Sequence, residues 1–494
     1  LINSFKFWQK PKSKDLFKEV SGFDLFYQLT YMSAVASAGI TRSRIFQLGS
    51  ELSRSPSEYF KRIHLLAQRL SYDYAEACRT VGAPVKSDAM KSLLLRLSSA
   101  LVSGEPEADF LAQEARITGE TYENEYERDL AALTKWTDAY AAIVVSAALI
   151  VIINLISTMI YKMGTGMIMG LMVVAVFTSA MGAWILSRAA PREVRGIFSP
   201  EGPREQRIAR KLSKFLPPAA LIVCLLLALL GIELGWILIV AALILFPLGV
   251  VSVVGDRKIT KKDAEIGPFL RSLGGMATST GTTIAEALNR LDLKSFPTLE
   301  PDIERLRRRL VAAISPELCW RKFALETGSK LISETTGVFN DAVNLGADPD
   351  RVGLLCSLFA SKTIMLRAKR RVVTSTFTWL TMVMHGAIGG LMIIIMEVID
   401  RFLSLIKTAI SAEEMGATQS MAMSIPLLSF SAPEIRWLHT MTIGMILLLA
   451  INNAFAILAA DGGHVLKASF YLCILLFLSG ASFIFVPPLV GLIM

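Results

Sequence analysis

Phe269–Leu291 reads FLRSLGGMATSTGTTIAEALNRL. Small residues lead up to Gly281, Thr283 follows two positions later, and the apolar spacing then resumes from Ile284. Glycine ends a helix readily in the left-handed conformation, and threonine can cap the next one, so the spacing predicts helix, break, helix. A related stretch lies near the start of the chain: Phe26–Leu48, FYQLTYMSAVASAGITRSRIFQL. Aligned on Gly39 and Gly281, the two keep register downstream, because Gly104 and Gly346 each follow 65 residues later. Acidic, proline-containing turns come next, Glu105-Pro106-Glu107 and Asp348-Pro349-Asp350. Two glycines in register with the same neighbouring elements imply an internal duplication.

The chain has 494 residues, of which 53% are hydrophobic and 19% charged, with a mean hydropathy of +0.50. That is too apolar for an ordinary soluble protein and predicts an all-α polytopic membrane protein carrying substantial polar domains. Residues 1–138 are expected to form a soluble helical region, with Ile63, Leu66 and Leu70 and then Leu93, Leu94, Leu97 and Leu101 as its apolar faces. The acidic, aromatic run 119–129, GETYENEYERD, reads either as a solvated helical face or as a face that docks a partner. Apolar hairpins follow at 139–187 and 217–254, separated by a basic linker, 188–216, with eight Lys/Arg against three Glu. A second polar block, 255–374, leads into a C-terminal apolar domain, 375–494, with three crossings. About seven transmembrane helices result. The positive-inside rule places 1–138, 188–216 and 255–374 in the cytosol, and the C-terminus outside. No cleavable signal sequence is visible, and because the chain opens on Leu1 rather than Met, residues are expected to precede it.

The net charge of +9 fits anionic lipid or an acidic partner and does not by itself indicate nucleic acid. The 255–374 block carries 20 Lys/Arg against 14 Asp/Glu, whereas 1–138 has 18 of each. The excess gathers at Lys258, Lys261 and Lys262 and at Arg305, Arg307, Arg308 and Arg309, around an apolar helical face of Ile303, Leu306 and Leu310. Such a face either is simply solvated or docks an acidic partner. Inside the apolar spans, Asn154, His385, Asn452 and Asn453 are expected to hydrogen-bond between helices or to line a groove for another protein's transmembrane helix. The run Gly386–Gly390 would permit close approach there. No phosphate-binding glycine loop, zinc spacing or catalytic motif occurs, so neither a cofactor nor a metal is expected, and an enzyme reading has little support. Five scattered cysteines suggest no disulfide framework.

The duplicated unit resembles the type II secretion F domain, through Ser279-Thr280-Gly281 followed by Ile284-Ala285-Glu286-Ala287-Leu288. The N-terminal copy keeps Ser37-Ala38-Gly39 but has Arg42–Phe46 where the family expects Glu-Ala-Leu. Gly39, Gly104, Gly281, Glu286, Leu288 and Gly346 therefore carry the motif. Two such domains separated by four membrane passes are most similar to the archaellum and archaeal type IV pilus platform proteins. The resemblance implies a non-enzymatic platform in the cell membrane that couples a hexameric cytosolic secretion ATPase to insertion of pilin-like or archaellin-like subunits. It also implies a homo-oligomer, with a dimer favoured. On this basis the basic residues of the second domain are the candidate ATPase contact, and His385, Asn452 and Asn453 the candidate subunit groove. The competing class, a transporter or channel, would place paired charges or broken helices at the midplane; a membrane scaffold is a third class.

Overall fold

The computed structural model describes residues 20–160, 165–191, 193–412 and 432–493, and among them no strand occurs. The helices are α1 (Gly22–Ala36), α2 (Arg42–Glu51), α3 (Ser57–Leu70), α4 (Tyr74–Gly82), α5 (Asp88–Ser103), α6 (Glu107–Ile160), α7 (Thr165–Ala189) and α8 (Arg204–Leu229). They continue with α9 (Leu234–Thr280), α10 (Ile284–Arg290), α11 (Glu300–Val311), α12 (Pro316–Thr327), α13 (Lys330–Asn344), α14 (Pro349–Ala412), α15 (Ala432–Asp461) and α16 (Ala468–Ile493). The chain divides into two compact units, residues 1–126 with 261–366 and residues 127–260 with 367–494. The first unit thus holds both polar blocks, and α6, α9 and α14 contribute residues to each unit.

Within the first unit the duplication is explicit. The offset of 242 residues between Gly39 and Gly281 also separates Gly104 from Gly346. The same offset separates the helix starts Arg42 and Ile284, Tyr74 and Pro316, Asp88 and Lys330, and Glu107 and Pro349. All four motif glycines have left-handed backbones, with φ of 66°, 75°, 61° and 97° in chain order. A side chain would be strained at each, which is why glycine stands there. Thr283 caps α10, its hydroxyl accepting from Glu286 N–H at 3.4 Å. Thr41 occupies the matching position with extended backbone but makes no side-chain cap bond.

The two copies pack on each other through groups that a local pattern does not disclose. Helix α1, apolar almost all round, is buried from Leu25 to Ala36. Arg54 bonds Asp24 of its own copy at 2.7 Å and reaches Glu334 of the other, while its guanidinium lies 4.9 Å from the centre of the Tyr27 ring. Tyr31 donates to Asp341 at 3.2 Å, and burial pushes the phenols of Tyr27 and Tyr31 well above their ordinary range. The 119–129 face is not merely solvated: Glu123 pairs with Lys362 at 3.1 Å, and Tyr122 packs near Phe23. Arg351 and Asp109, which stand 242 residues apart, pair with each other at 2.6 Å. Copies related by a local two-fold meet in this way. Backbone comes close at two glycines of the second copy. A Cβ on Gly353 would sit 2.6 Å from Leu270 O, and one on Gly274 would collide with Pro349 O.

Seven helices are long and apolar enough to cross a membrane, among the described residues: α6, α7, α8, α9, α14, α15 and α16. The chain is therefore a multi-pass membrane protein. The α8–α9 hairpin turns at Leu230–Glu233, with Gly231 at φ 73°. The sequence leads one to expect a crossing over 375–397 and a loop over 398–437; α14 instead runs on to Ala412, as Ile399, Phe402 and Leu405 prolong its apolar pattern and no glycine or proline falls between 391 and 412. Residues 161–164 and 413–431 lie outside the described set. In the second unit the close helix contacts fall where α9 meets α16. A Cβ on Gly480 would lie 2.8 Å from Gly235 O, and one on Gly249 would lie 2.7 Å from Phe470 Cα. Removing the side chain lets two helices approach in lipid, where dispersion and polar bonds rather than hydrophobicity drive association. The run Gly386–Gly390 instead meets side chains of Leu478, Ile446 and Ser482 at an ordinary 3.9 Å.

A buried charge cluster closes the end of α15. Arg370, fully buried, donates to Ala460 O at 2.9 Å, Ala459 O at 3.2 Å and Pro191 O at 2.7 Å. These include carbonyls that the helix end leaves unpaired, and the cation meets the negative end of the helix dipole. Gly462, φ 70°, follows, and any Cβ there would collide with the guanidinium. Arg367 bonds Glu193 at 2.5 Å, Arg195 donates to Asp461 O at 2.8 Å, and Lys467 bridges Asp461 and Asp256. Burial pushes the Glu193 carboxyl up, but Arg367, Arg195 and Arg370 outweigh it and hold it below the ordinary range.

Three substitutions test this packing by thermal or denaturant unfolding of the purified chain. Gly274→Val should cost about 1–3 kcal/mol, since the obstacle is backbone. Gly337→Ala, mid-helix with open space around it, should be neutral or stabilising by about 0.5–1 kcal/mol. Arg370→Met, which leaves three buried carbonyls short of a donor and removes a cation from near Glu193, should cost about 3–5 kcal/mol; a loss under about 1 kcal/mol would show that the cluster does not hold α15.

Candidate functional site

Of the basic residues singled out in the second copy, the four arginines lie along α11. Here α11 begins where Glu265 of α9 accepts from Leu299 N–H at 2.8 Å, placing an anion at the positive helix end. Lys262, nearly buried, pairs with the buried Asp302 at 2.7 Å. Arg305 also pairs with Asp302 and reaches Glu326 of α12 at 3.1 Å, and Arg309 joins it on Glu326 at the same distance. Arg307 and Arg308 bond Glu304 at 2.6 and 3.0 Å. Five cations thus share three carboxylates. Burial pushes Glu326 up, but Arg309 and Arg305 outweigh it and hold its carboxyl below the ordinary glutamate range. Hydrogen bonds from Arg307 and Arg308 likewise lower Glu304. Lys261 is exposed. Lys258, in the other unit, pairs with Glu205. Of the motif residues, Leu288 is fully buried, while Glu286 is exposed and bonds Arg290 at 3.3 Å.

The intramembrane candidates converge in the second unit. Tyr140 of α6 donates to Asn453 Oδ1 of α15 at 2.7 Å. The Asn453 amide faces His385 Nδ1 of α14 at 3.3 Å, and His385 Nε2 lies 2.9 Å from Ser479 Oγ of α16. Ser479 in turn donates to Leu475 O at 3.0 Å. With the asparagine donating to Nδ1, the histidine must donate from Nε2, and every group in the chain is satisfied in one sense. Asn452 reaches Ser179 Oγ of α7 at 3.3 Å and Val176 O at 3.4 Å. The three candidates therefore tie α6, α7, α14, α15 and α16 together, spending their bonds on neighbouring helices. Asn154 is buried, and neither of its amide atoms finds a partner among the described residues. Sequence reasoning missed Tyr140 and Ser479. The usable signal was that a phenol or hydroxyl inside an apolar run must find a partner in lipid.

The chain is 24% identical over 453 residues to the Flagella accessory protein J of Methanocaldococcus jannaschii, covering 88% of this chain and 79% of that protein. It is 23% identical over 429 residues to the Flagella accessory protein J of Methanococcus voltae, covering 83% of this chain and 74% of that protein. No protein-family model and no solved structure matches it.

Glu326→Gln should lower stability at pH 7 by about 1 kcal/mol, because Arg305 and Arg309 lose a shared anion. The folded carboxyl titrates below its unfolded value of about 4.3, so its contribution is complete above that value and is lost as pH falls through the depressed one. The stability difference between wild type and variant should therefore close as pH is lowered from about 7 to about 3. A difference independent of pH would show that the glutamate contributes shape rather than charge.

Proposed function

We propose that this chain is a distant member of the archaellum membrane-platform family and that it couples a hexameric cytosolic secretion ATPase to insertion of archaellin-like or pilin-like subunits into a growing filament. The observation that carries the proposal is that the similarity runs through both the duplicated polar helices and the apolar spans, covering 88% of the chain. The two parts are joined by α6, α9 and α14, unbroken helices of 54, 47 and 64 residues. In this reading the polar unit is cytosolic, the membrane is the cytoplasmic one, the N-terminus lies in the cytosol and the C-terminus outside. The basic distribution supports that orientation. The chain itself performs no chemistry: the ATPase supplies the work, and the platform acts as a homo-oligomer, with a dimer favoured.

The α11 surface is the proposed ATPase contact, where a basic excess would steer an acidic partner. Arg305 and Arg309 clasp α12 through Glu326, so reversing them would also damage the fold. Arg307 and Arg308, whose carboxylate partner Glu304 lies on their own helix, are the safer probes. The bilayer-embedded residues His385, Asn452 and Asn453 are proposed to shape the wall that receives a subunit's apolar helix by fixing how five spans pack.

The test is co-purification in detergent with the candidate ATPase. Arg307→Glu/Arg308→Glu should weaken the complex by about tenfold or more at low salt while leaving the melting temperature unchanged. Undiminished binding would return these arginines to the role of a solvated helix face. Failure of the wild-type chain to bind would remove the coupling proposal.

A further inference from the structure

The first copy holds an apolar groove that its counterpart in the second copy lacks. Ile63, Leu66 and Leu70 share one face of α3, yet only Ile63 is buried in the core, and Leu70 is 62% exposed. Instead, the stripe runs out of the core into a cavity of about 540 Å³, where Leu65, Leu66 and Leu70 face Val81, Pro84 and Val85 from α4 and the turn after it. Arg62 and Arg69 also line it. Both are exposed, and neither forms an ion pair among the described residues.

The duplication supplies an internal comparison. Helix α3 aligns with α11 at an offset of 243, which matches the buried pairs Phe60 with Ile303 and Ile63 with Leu306. Leu65 and Leu66 then stand where α11 has Arg308 and Arg309. Helix α4 aligns with α12 at 242, which puts Pro84 at the place of Glu326. In the second copy this position is shut by the Arg309–Glu326 and Arg305–Glu326 pairs. In the first, Leu66 and Pro84 replace Arg309 and Glu326, while Arg62, which stands where Arg305 does, keeps its charge without an ion pair among the described residues. The same framework is thus closed by its own charges in one copy and left open, greasy and basic in the other.

We infer that the α3–α4 groove of the first copy seats an amphipathic helix of a soluble partner protein, its apolar face against Leu65, Leu66 and Val81 and its flanking carboxylates on Arg62 and Arg69. This is helix-in-groove recognition with the charge sign fixed by the rim. The chain's own N-terminal residues have the wrong sign, with Lys6, Lys10, Lys12, Lys14 and Lys18 against Asp15 and Glu19. The groove is separate from the α11 surface, so the inference stands or falls independently of the ATPase contact proposed there.

The test uses the full chain in zwitterionic-lipid nanodiscs, with empty discs as the baseline. The probe is a labelled peptide of about 18 residues, helical, with leucines at i, i+3, i+4 and i+7 and glutamates flanking them. The acidic peptide should bind above the baseline and weaken as salt is raised. Both Leu66→Glu and the exposed double variant Arg62→Ala/Arg69→Ala should weaken it by about tenfold, while Arg308→Ala in the second copy leaves it unchanged. Three results overturn the proposal: no binding above empty discs, binding undiminished in the double arginine variant, or tighter binding by a peptide of residues 1–19. Loss in Leu66→Glu alone counts against it, since a buried charge can damage the fold without touching recognition.

Discussion

A buried helix end has carbonyls that water cannot reach, and α15 meets that constraint with one buried guanidinium. Arg370 spans Ala459, Ala460 and Pro191, so a single side chain on α14 fixes the end of α15 and the chain segment after α7. Gly462 leaves the space it occupies, and Glu193, Asp461 and Asp256 balance the surrounding cations. Arg rather than Lys is needed because the planar fork addresses three acceptors at once. The positive-inside rule alone would explain the run Arg367–Arg371, but it would not distinguish Arg370, which is fully buried, from Arg371 beside it, which is exposed.

The duplicated copies have kept their backbone and diverged in charge. Asp109 faces Arg351, and Glu127 pairs with Lys369; in each case the partners stand at equivalent positions. In a symmetric dimer of identical copies each residue would meet itself, and like charges would oppose the association. Opposite charges at those two places favour pairing of one copy with the other within a single chain. The same divergence made the α11–α12 contact ionic and the α3–α4 contact apolar, so that similar frameworks present different surfaces.

In the second unit, two devices that suit lipid share the work. Glycines at 235, 249 and 480 bring α9 and α16 into backbone contact, while Tyr140, His385, Asn453 and Ser479 make a directional chain of hydrogen bonds across four helices. The first sets the distance between helices, and the second sets which polar groups face one another across them.

The sequence by itself determined what depends on spacing along one chain. Helical periodicity, the number of apolar spans and the 242-residue offset are local properties, and so is the left-handed turn at Gly39, Gly104, Gly281 and Gly346, because only the residue's own backbone decides it. Tertiary structure alone decided which groups meet. Arg305 and Arg309 read as open docking residues until α12 brings Glu326 to them, and Leu70 reads as core until the structure leaves it 62% exposed while Leu66 stays half-buried against the core. His385 and Asn453 were legible as polar residues needing partners, but Tyr140, more than two hundred residues away from His385 in the chain, was not identifiable as part of the answer. Ion pairs and buried hydrogen bonds form between whichever helices packing places within about 3 Å, and no periodicity within a helix encodes that neighbour.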